Sequence, residues 1–153
     1  EGLATFQGVE RRFDIHINTP KITYIDDYAH HPKELSSAIS SIRNIFPGRK
    51  ITAMFQPHLY TRTRDFAAEF AQSLSMVDEL VLLDIYPARE LPIEGVTSEI
   101  IFKDVTVGKK ILIKKEEALE WLKGHQVDVL VTFGAGDIDR LIVPVEEILK
   151  ERL

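Results

Sequence analysis

The chain has 153 residues, of which 44% are hydrophobic and 28% are charged, and its formal net charge is −5. This length fits one domain with its own core, and a negative charge without a basic tract argues against general nucleic-acid binding. The absence of cysteine excludes disulfides and thiolate metal sites and favours a reducing, cytoplasmic setting. The apolar runs are of strand length and the first residues lack signal-peptide order, so no membrane association is expected.

In chain order, five apolar, β-branched runs of strand length alternate with helical patterns. Because these runs are apolar almost throughout, they predict strands that are covered on both faces. The alternation predicts an α/β fold with a mainly parallel sheet and helices on both faces. The predicted strands are Lys21–Asp26, Ile51–Gln56, Glu79–Tyr86, Lys109–Lys114 and Val127–Phe133.

Four further segments repeat apolar residues at helical spacing. The first runs from Leu35 to Phe46 and the second from Phe66 to Val77, each with one apolar face. A shorter segment covers Glu116–Lys123. The last begins near Asp137, and we expect Pro144 to kink or split it because proline lacks a backbone donor.

The first twenty residues do not follow this alternation. They contain one short alternating run, Phe13 to Ile17, and no other clear strand or helix signal. Residues 1–20 are therefore interpreted as a linker or the tail of another domain, and residues 21–153 as the domain itself.

Polar side chains cluster where predicted strands pass into helices, at the edge where α/β sheets bind ligands. The first cluster is DDYAHHP. Pro32 suits a first helical turn, so His31 is the predicted N-cap, although histidine caps poorly and another use is indicated. A helix N-terminus favours an anion and keeps a histidine neutral, and Asp26 and Asp27 suit a ribose hydroxyl or a metal. The alternative is that Tyr28 packs, Asp27 caps a turn and the histidines are surface polar groups.

The second cluster is FQPHLYTRTRDF, which contains His58, Arg62 and Arg64. Arginine makes bidentate contacts with carboxylate and phosphate, so two arginines and a histidine at one junction predict an oxyanion site. The alternative is a solvated loop in which the arginines pair with Asp65 or Glu69.

The third cluster is TFGAGDIDRL, where Gly134 and Gly136 resemble the start of a phosphate-binding turn. Asp139 stands where that pattern has its third glycine. The segment is either a plain tight turn or a turn that lets a ligand or partner domain come close. The nearby loop Tyr86–Glu99 follows another strand and is expected to border the same edge.

Taken in order and at these intervals, the segments DDYAHHP, FQPHLYTRTRD, LLDIYPARE and FGAGDID closely resemble the C-terminal domain of the Mur ligase family. The resemblance runs from about Phe6 to the end of the chain. The segment FQGVERRFDI looks like the last piece of that family's central domain. The QPH-x-YTRTRD run is similar to the family member that adds L-alanine.

The resemblance implies a Rossmann-like sheet that is one third of an ATP-dependent ligase of peptidoglycan precursor synthesis. In that family an N-terminal domain holds the UDP-sugar, here UDP-N-acetylmuramate, and a central domain carries the P-loop and the Mg²⁺ ligands. ATP phosphorylates the muramoyl carboxylate, and the L-alanine amine then attacks the acyl phosphate. The C-terminal domain closes over the site, so the isolated chain is expected to be inactive as a ligase.

Residue by residue, the resemblance assigns Asp27 to the ATP ribose and His31 to the nucleotide and the chemical step. Tyr28 and His30 correspond to the lining of the phosphates and the amino-acid pocket. The cleft edge is assigned to residues 134, 136 and 137.

His58 and Arg62 match residues that face the incoming alanine and the acyl phosphate, which makes them the main catalytic and substrate-binding candidates. Arg64 is a further substrate-binding candidate. Many relatives have arginine where this sequence has Leu59, so a carboxylate contact made there must come from another residue, and Arg62 is the first choice.

Two other functions stay open. One is a stand-alone anion-binding or nucleotide-binding module without catalysis, which an upstream glycine-rich G-K-[ST] segment in the same reading frame would exclude. The other is the ligase that recycles murein tripeptide, which differs only in its substrate.

Overall fold

The computed structural model describes residues 12–153, and these form a six-stranded sheet with the order β1-β2-β6-β3-β4-β5. All neighbouring strands are parallel except β1 and β2. The strands are β1 (Asp14–Asn18), β2 (Thr23–Asp27), β3 (Ile51–Phe55), β4 (Glu79–Leu83), β5 (Lys109–Ile113) and β6 (Val129–Phe133).

Helices cover both faces of this sheet. The first, third and fourth helices pack together on one face, whereas the last two pack together on the other. This arrangement confirms the predicted α/β, Rossmann-like class with a mainly parallel sheet. The helices are α1 (Pro32–Ile45), α2 (Tyr60–Asp65), α3 (Ala67–Leu74), α4 (Glu99–Phe102), α5 (Ala118–Lys123) and α6 (Ile142–Lys150), with 3₁₀ turns at Lys115–Glu117 and Asp137–Leu141. Between residues 12 and 153, none of them has the length and apolarity needed to cross a bilayer.

Every residue of β2, β3, β4 and β6 is buried, which explains why these strands read as continuous apolar runs. Successive side chains point to opposite faces and feed two cores. Ile25 and Phe55 join the core beneath α1 and α3, whereas Tyr24 and Met54 join the core beneath α5 and α6.

The edge strand β1 corrects one sequence prediction. It pairs antiparallel with β2, with an irregularity between Ile15 and Ile17, and Ile17 is buried in the second core. Residues 14–18 therefore belong to the sheet and not to the linker that the sequence predicts over residues 1–20. Their signal is weak because the strand is short and only one of its residues is buried. Residues 1–11, the rest of that linker, lie outside the described residues.

The second predicted helix begins earlier than its apolar pattern indicates. The YTRTRD run is itself helical and forms α2, and the chain breaks at Phe66 (φ −122°, ψ 23°) before α3. Arg62 and Arg64 thus lie on a helix rather than in a loop. The last helix splits near Pro144 as predicted: a 3₁₀ turn precedes α6, where the proline occupies the first turn and no backbone donor is missed.

The turn after β6 is packed too closely for any residue larger than glycine at position 136. A Cβ at Gly136 would lie 2.6 Å from Tyr86 Cγ and 2.7 Å from Gln56 Oε1. Gly134 has φ of +146°, which a side chain would also strain. The groups that pack closely against Gly136 are therefore Gln56 and Tyr86 of the chain itself.

We expect Gly136→Ala to lower the free energy of unfolding by about 1–3 kcal/mol, because the added methyl group displaces packed neighbours. Gly108→Ala is the matched control, since a Cβ there has no atom within 4 Å, and its effect should stay within about 0.5 kcal/mol. Urea unfolding measures the free energy of unfolding of both variants, and the comparison is direct when their m-values equal that of the unsubstituted chain. Equal losses in the two variants would show that crowding at Gly136 is not the cause.

Candidate functional site

Strands β2, β6 and β3 end in register at one edge of the sheet. Asp27 is paired with Phe133, and Phe133 with Phe55. The backbone ladder continues one residue further, since Gly134 N–H donates to the Asp27 carbonyl at 3.2 Å and Gln56 N–H to the Phe133 carbonyl at 3.1 Å. The three polar clusters of the sequence therefore lie side by side.

The first and second clusters meet across the glycine turn of the third. The His30 ring centroid lies 4.9 Å from that of His31 and 5.9 Å from that of His58. Tyr28 packs edge-on against His30 at 5.3 Å and is 40% exposed. The structure thus brings these four predicted site residues together.

The start of α1 is held by a carboxylate rather than by a histidine side chain. His31 is the N-cap residue, as predicted, with extended backbone angles. The backbone N–H groups of His30 and His31 both donate to Glu34 Oε1, at 3.0 and 3.1 Å. Burial raises the pKa of Glu34, but these hydrogen bonds outweigh it and leave the pKa lowered. The Glu34 carboxylate thereby fixes the backbone of both histidines at the start of α1.

Arg62 and His58 form a pair on the first turn of α2. Arg62 Nη1 lies 3.2 Å from His58 Nδ1. Arginine can only donate, so Nδ1 accepts and the proton of the neutral ring is on Nε2. This finding places the predicted oxyanion-binding arginine beside the predicted histidine.

Both histidines next to Arg62 are held in the neutral form. Burial, the Arg62 charge and His30 lower the pKa of His58, although Glu90 opposes them. The same three causes lower the pKa of His31. Since an unperturbed histidine titrates near pH 6.5, a lowered pKa leaves both rings mostly uncharged at pH 7.

Asp27 caps a turn, as the alternative interpretation of its cluster proposed. It is 4% exposed, and its two carboxylate oxygens accept hydrogen bonds from Ala29 N–H at 2.8 Å and Phe13 N–H at 3.1 Å. Burial raises the pKa of Asp27 more than these bonds lower it. The residue also lines a groove of about 550 Å³ beside α1, together with Arg12 and Lys33.

The two arginines of α2 differ in their surroundings. Arg64 pairs with its neighbour Asp65 at 2.9 Å, and its side chain is 51% exposed. This is the solvated pairing that the sequence left open for both arginines, whereas Arg62 contacts His58. Leu59, the N-cap residue of α2, has φ of 75°, and the Arg62 guanidinium contacts His58 at 3.2 Å.

The loop after β4 borders the same edge, as the sequence predicts, and it packs against the second cluster through Tyr86, a residue that the sequence alone does not assign to the site. Leu59 N–H donates to the Tyr86 carbonyl and Tyr86 N–H to the Pro57 carbonyl, both at 2.8 Å. The His58 and Tyr86 rings stack at 5.6 Å with planes 14° apart. Two signals in the sequence point towards Tyr86: it begins the loop that follows a predicted strand, and it lies in the LLDIYPARE segment of the resemblance.

Asp137, assigned to the cleft edge, is engaged within the chain. Its carboxylate accepts from Gln56 Nε2 at 2.7 Å and from Lys115 Nζ at 2.6 Å. Burial raises the pKa of Asp137, but Lys115 and Gln56 outweigh it and leave the pKa lowered. These bonds tie the turn after β6 to Gln56, at the end of the neighbouring β3, and to the turn after β5.

A search for metal ligands in residues 12–153 finds no group of three His, Asp or Glu side chains arranged to hold a metal ion. This part of the chain therefore offers no built site for Mg²⁺, and no step is assigned to a metal held by these residues.

Comparisons with known proteins place the chain in a family. Residues 11–136 match the family described as Mur ligase, glutamate ligase domain. The UDP-N-acetylmuramate--L-alanine ligase of Parabacteroides distasonis is 57% identical over 153 residues, which are 100% of this chain and 33% of that protein. The chain thus spans about a third of the length of the curated relatives that it matches.

Two solved structures share the fold. The UDP-N-acetylmuramate-alanine ligase of Thermotoga maritima has a TM-score of 0.69 and 29% identity, over 98% of this chain and 31% of that one. A domain from a putative UDP-N-acetylmuramate:L-alanyl-gamma-D-glutamyl-medo-diaminopimelate ligase of Haemophilus ducreyi has a TM-score of 0.68 and 18% identity, over 90% of this chain and 99% of that one. The fold therefore also occurs as a separately solved domain. This chain belongs to the Mur ligase family, and it is the C-terminal domain of a member of that family.

Proposed function

We propose that the whole protein is a UDP-N-acetylmuramate–L-alanine ligase and that the edge formed by His30, His31, His58 and Arg62 faces its substrates. The observation that supports this most directly is the pairing of Arg62 with His58 beside two further histidines, at the edge where α/β sheets bind ligands. The 57% identity to an L-alanine-adding relative supports the choice of substrate. The reaction belongs in the cytoplasm and involves no nucleic-acid or membrane partner.

Arg62 is the proposed electrostatic catalyst. In the reaction, ATP phosphorylates the muramoyl carboxylate, and attack by the alanine amine produces a tetrahedral oxyanion that collapses to amide and phosphate. Both the acyl phosphate and the oxyanion are anions, and a preorganised donor in a closed cleft stabilises them. His58 has Nδ1 engaged by Arg62, so its Nε2–H is the group it offers to a substrate oxygen.

The neutral state of His31 and His58 suits an amine substrate. L-Alanine arrives as an ammonium ion, which two protonated imidazoles would repel. With both rings uncharged, Arg62 provides positive charge for the anionic groups without adding repulsion from the histidines. Tyr28 and His30 complete the proposed wall of the amino-acid pocket, and Arg64 is the outermost candidate for substrate contact.

Asp27 is the proposed contact to the ATP ribose, with His31 lining the nucleotide. A carboxylate oxygen accepts more than one hydrogen bond, so Oδ2 can accept from a ribose hydroxyl while it holds Phe13 N–H. The groove next to Asp27 has room for this contact, at about 550 Å³. The P-loop and the Mg²⁺ ligands are proposed to lie on the central domain.

The other candidate functions are less well supported. A stand-alone nucleotide-binding module does not account for relatives three times as long as this chain. A murein-tripeptide ligase differs in substrate only, and the L-alanine-adding relative at 57% identity favours the alanine reaction.

We expect the full-length protein to release phosphate from ATP only when UDP-N-acetylmuramate, L-alanine and Mg²⁺ are all present, and this 153-residue chain alone to release none. A coupled phosphate assay with a panel of L-alanine, other amino acids and murein tripeptide measures the specificity. Turnover with tripeptide in place of L-alanine would assign the protein to the recycling ligase.

We expect Arg62→Ala in the full-length protein to reduce kcat about 10²- to 10³-fold, the range for loss of one oxyanion donor. Arg64→Ala, which removes an equal charge from the same helix, should reduce it much less because Arg64 already pairs with exposed Asp65. Steady-state kinetics at saturating substrates give both values. Unchanged turnover in Arg62→Ala would remove Arg62 from the mechanism.

We expect NMR titration of this chain to give pKa values below 6.5 for His31 and His58, and Arg62→Ala to raise both. Because the pKa of each histidine is lower in the folded chain than in the unfolded chain, the unfolded chain binds protons more readily. These histidines therefore contribute stability above pH 6.5 that is lost as the pH falls through their folded pKa values. Arg43→Ala, at the opposite edge of the sheet next to Asp78, is the control and should leave both pKa values unchanged.

A further inference from the structure

The helix that carries Arg62 has no cap of its own. Helix α2 is six residues long, and its N-cap residue Leu59 makes no side-chain hydrogen bond. A helix of this length is not stable by itself, so its position depends on outside contacts. The first orphan donors of α2 must therefore be satisfied by another part of the chain.

Glu90 supplies that contact from the loop after β4. Its Oε1 accepts from Thr61 N–H at 3.1 Å, and its Oε2 accepts from the Thr61 hydroxyl at 2.5 Å. The Thr61 bonds, with the nearby Tyr60 N–H, lower the pKa of this carboxyl. Glu90 thus serves as the cap of α2 although it lies 29 residues from Thr61 in the sequence. The negative charge also suits the positive end of the helix.

Glu90 is itself held in a tight, strained turn. Its N–H donates to the Pro87 carbonyl at 2.9 Å, and Ala88 inside this turn has φ of 54°. On the other side of the contact, Leu59 has φ of 75°. Such angles are uncommon for residues other than glycine and persist only when the surroundings fix them. The backbone bonds of Tyr86 to Pro57 and Leu59 join the two strained turns and provide that restraint.

The Arg62–His58 pair lies directly on this anchored turn. Arg62 follows Thr61 in the chain, and His58 lies just before the N-cap. If the first turn of α2 rotated, Arg62 Nη1 would lose its 3.2 Å contact with His58 Nδ1. We propose that Glu90 is a positioning residue, which through Thr61 fixes the first turn of α2 and so holds Arg62 and His58 in the geometry that faces the substrates.

The catalytic part of this proposal rests on the ligase function proposed above. The anchoring part is independent of it, since the chain contains every group involved. Glu90 touches no reacting atom, and its charge also acts on His58, where it opposes the effects of burial and of Arg62 on the pKa. This electrostatic link gives a readout that a purely structural role would not move.

The test compares Glu90→Gln, Glu90→Ala and Thr61→Val with the control Glu94→Gln, an exposed glutamate in the same loop. NMR titration of this chain follows the His58 ring, and kinetics in the full-length ligase follow kcat and KM. Glu90→Gln keeps an acceptor but removes the charge, so the pKa of His58 should fall. Glu90→Ala removes both bonds of the tether, so kcat should fall about ten- to a hundredfold, as for loss of a hydrogen bond to a charged group. Thr61→Val removes the hydroxyl bond and keeps the backbone N–H bond to Glu90, so kcat should fall less, about tenfold.

The KM for ATP should stay within about twofold in all variants, because Glu90 is remote from the Asp27 groove. Wild-type kcat in both Glu90→Ala and Thr61→Val, or a His58 pKa in Glu90→Gln equal to that in Glu94→Gln, would overturn the proposal. If Glu90→Ala does not fold, Thr61→Val decides the kinetic arm, since it keeps the charge. An inactive wild-type protein would refute the ligase function instead. The pKa of His58 in Thr61→Val, which keeps the Glu90 charge, would still test the anchoring, because it should rise if Arg62 moves away from His58 and stay unchanged if it does not.

Discussion

The common register of β2, β6 and β3 is the constraint on which the site depends. Parallel strands that end level bring their following turns to one edge, so residues near positions 30, 60 and 135 become neighbours. The middle turn is glycine-rich, and its backbone bonds to Asp27 and Gln56 leave the outer two turns free to approach each other. The His30 to His58 distance of 5.9 Å follows from this arrangement and from no local motif.

The charged and titratable groups at this edge of the sheet fall into two sets. Arg62 is the cation that contacts His58, and burial together with Arg62 itself keeps the neighbouring histidines neutral. Glu34 and Glu90, which carry the nearby negative charges, are occupied with backbone donors at the starts of α1 and α2. The helices are thereby capped by carboxylates, and the imidazoles and the guanidinium are the groups that we propose to face the substrates. One set of groups fixes the starts of the two helices, and the other is proposed to take part in the reaction.

Much of this arrangement is predictable from the sequence, and the exceptions have physical reasons. Hydrophobic periodicity indicates burial, so the α/β class and the five strands β2 to β6 can be predicted from the sequence. Pro32 marks the start of α1. Periodicity does not report pairing partners, so the sequence shows the alternating run Phe13 to Ile17 but does not assign it to the sheet. Glu90 is found only after folding because 29 residues separate it from Thr61. In the sequence, Arg62 and Arg64 appear equivalent. The helical turn of α2 directs Arg62 towards His58 and Arg64 towards solvent.

The chain enters the domain at the edge that carries the site. Phe13 N–H is bonded to Asp27, and β1 begins at the next residue. If the domain rotates about this entry, Asp27 lies at the pivot, whereas Arg62 follows β3, two strands or roughly 10 Å away. Displacement grows with distance from a pivot, so the same swing moves Arg62 farther than Asp27. Under the function that we propose, a nucleotide at Asp27 would stay near the pivot while Arg62 moves to and from the acyl phosphate, so the opening that admits L-alanine would not have to release ATP.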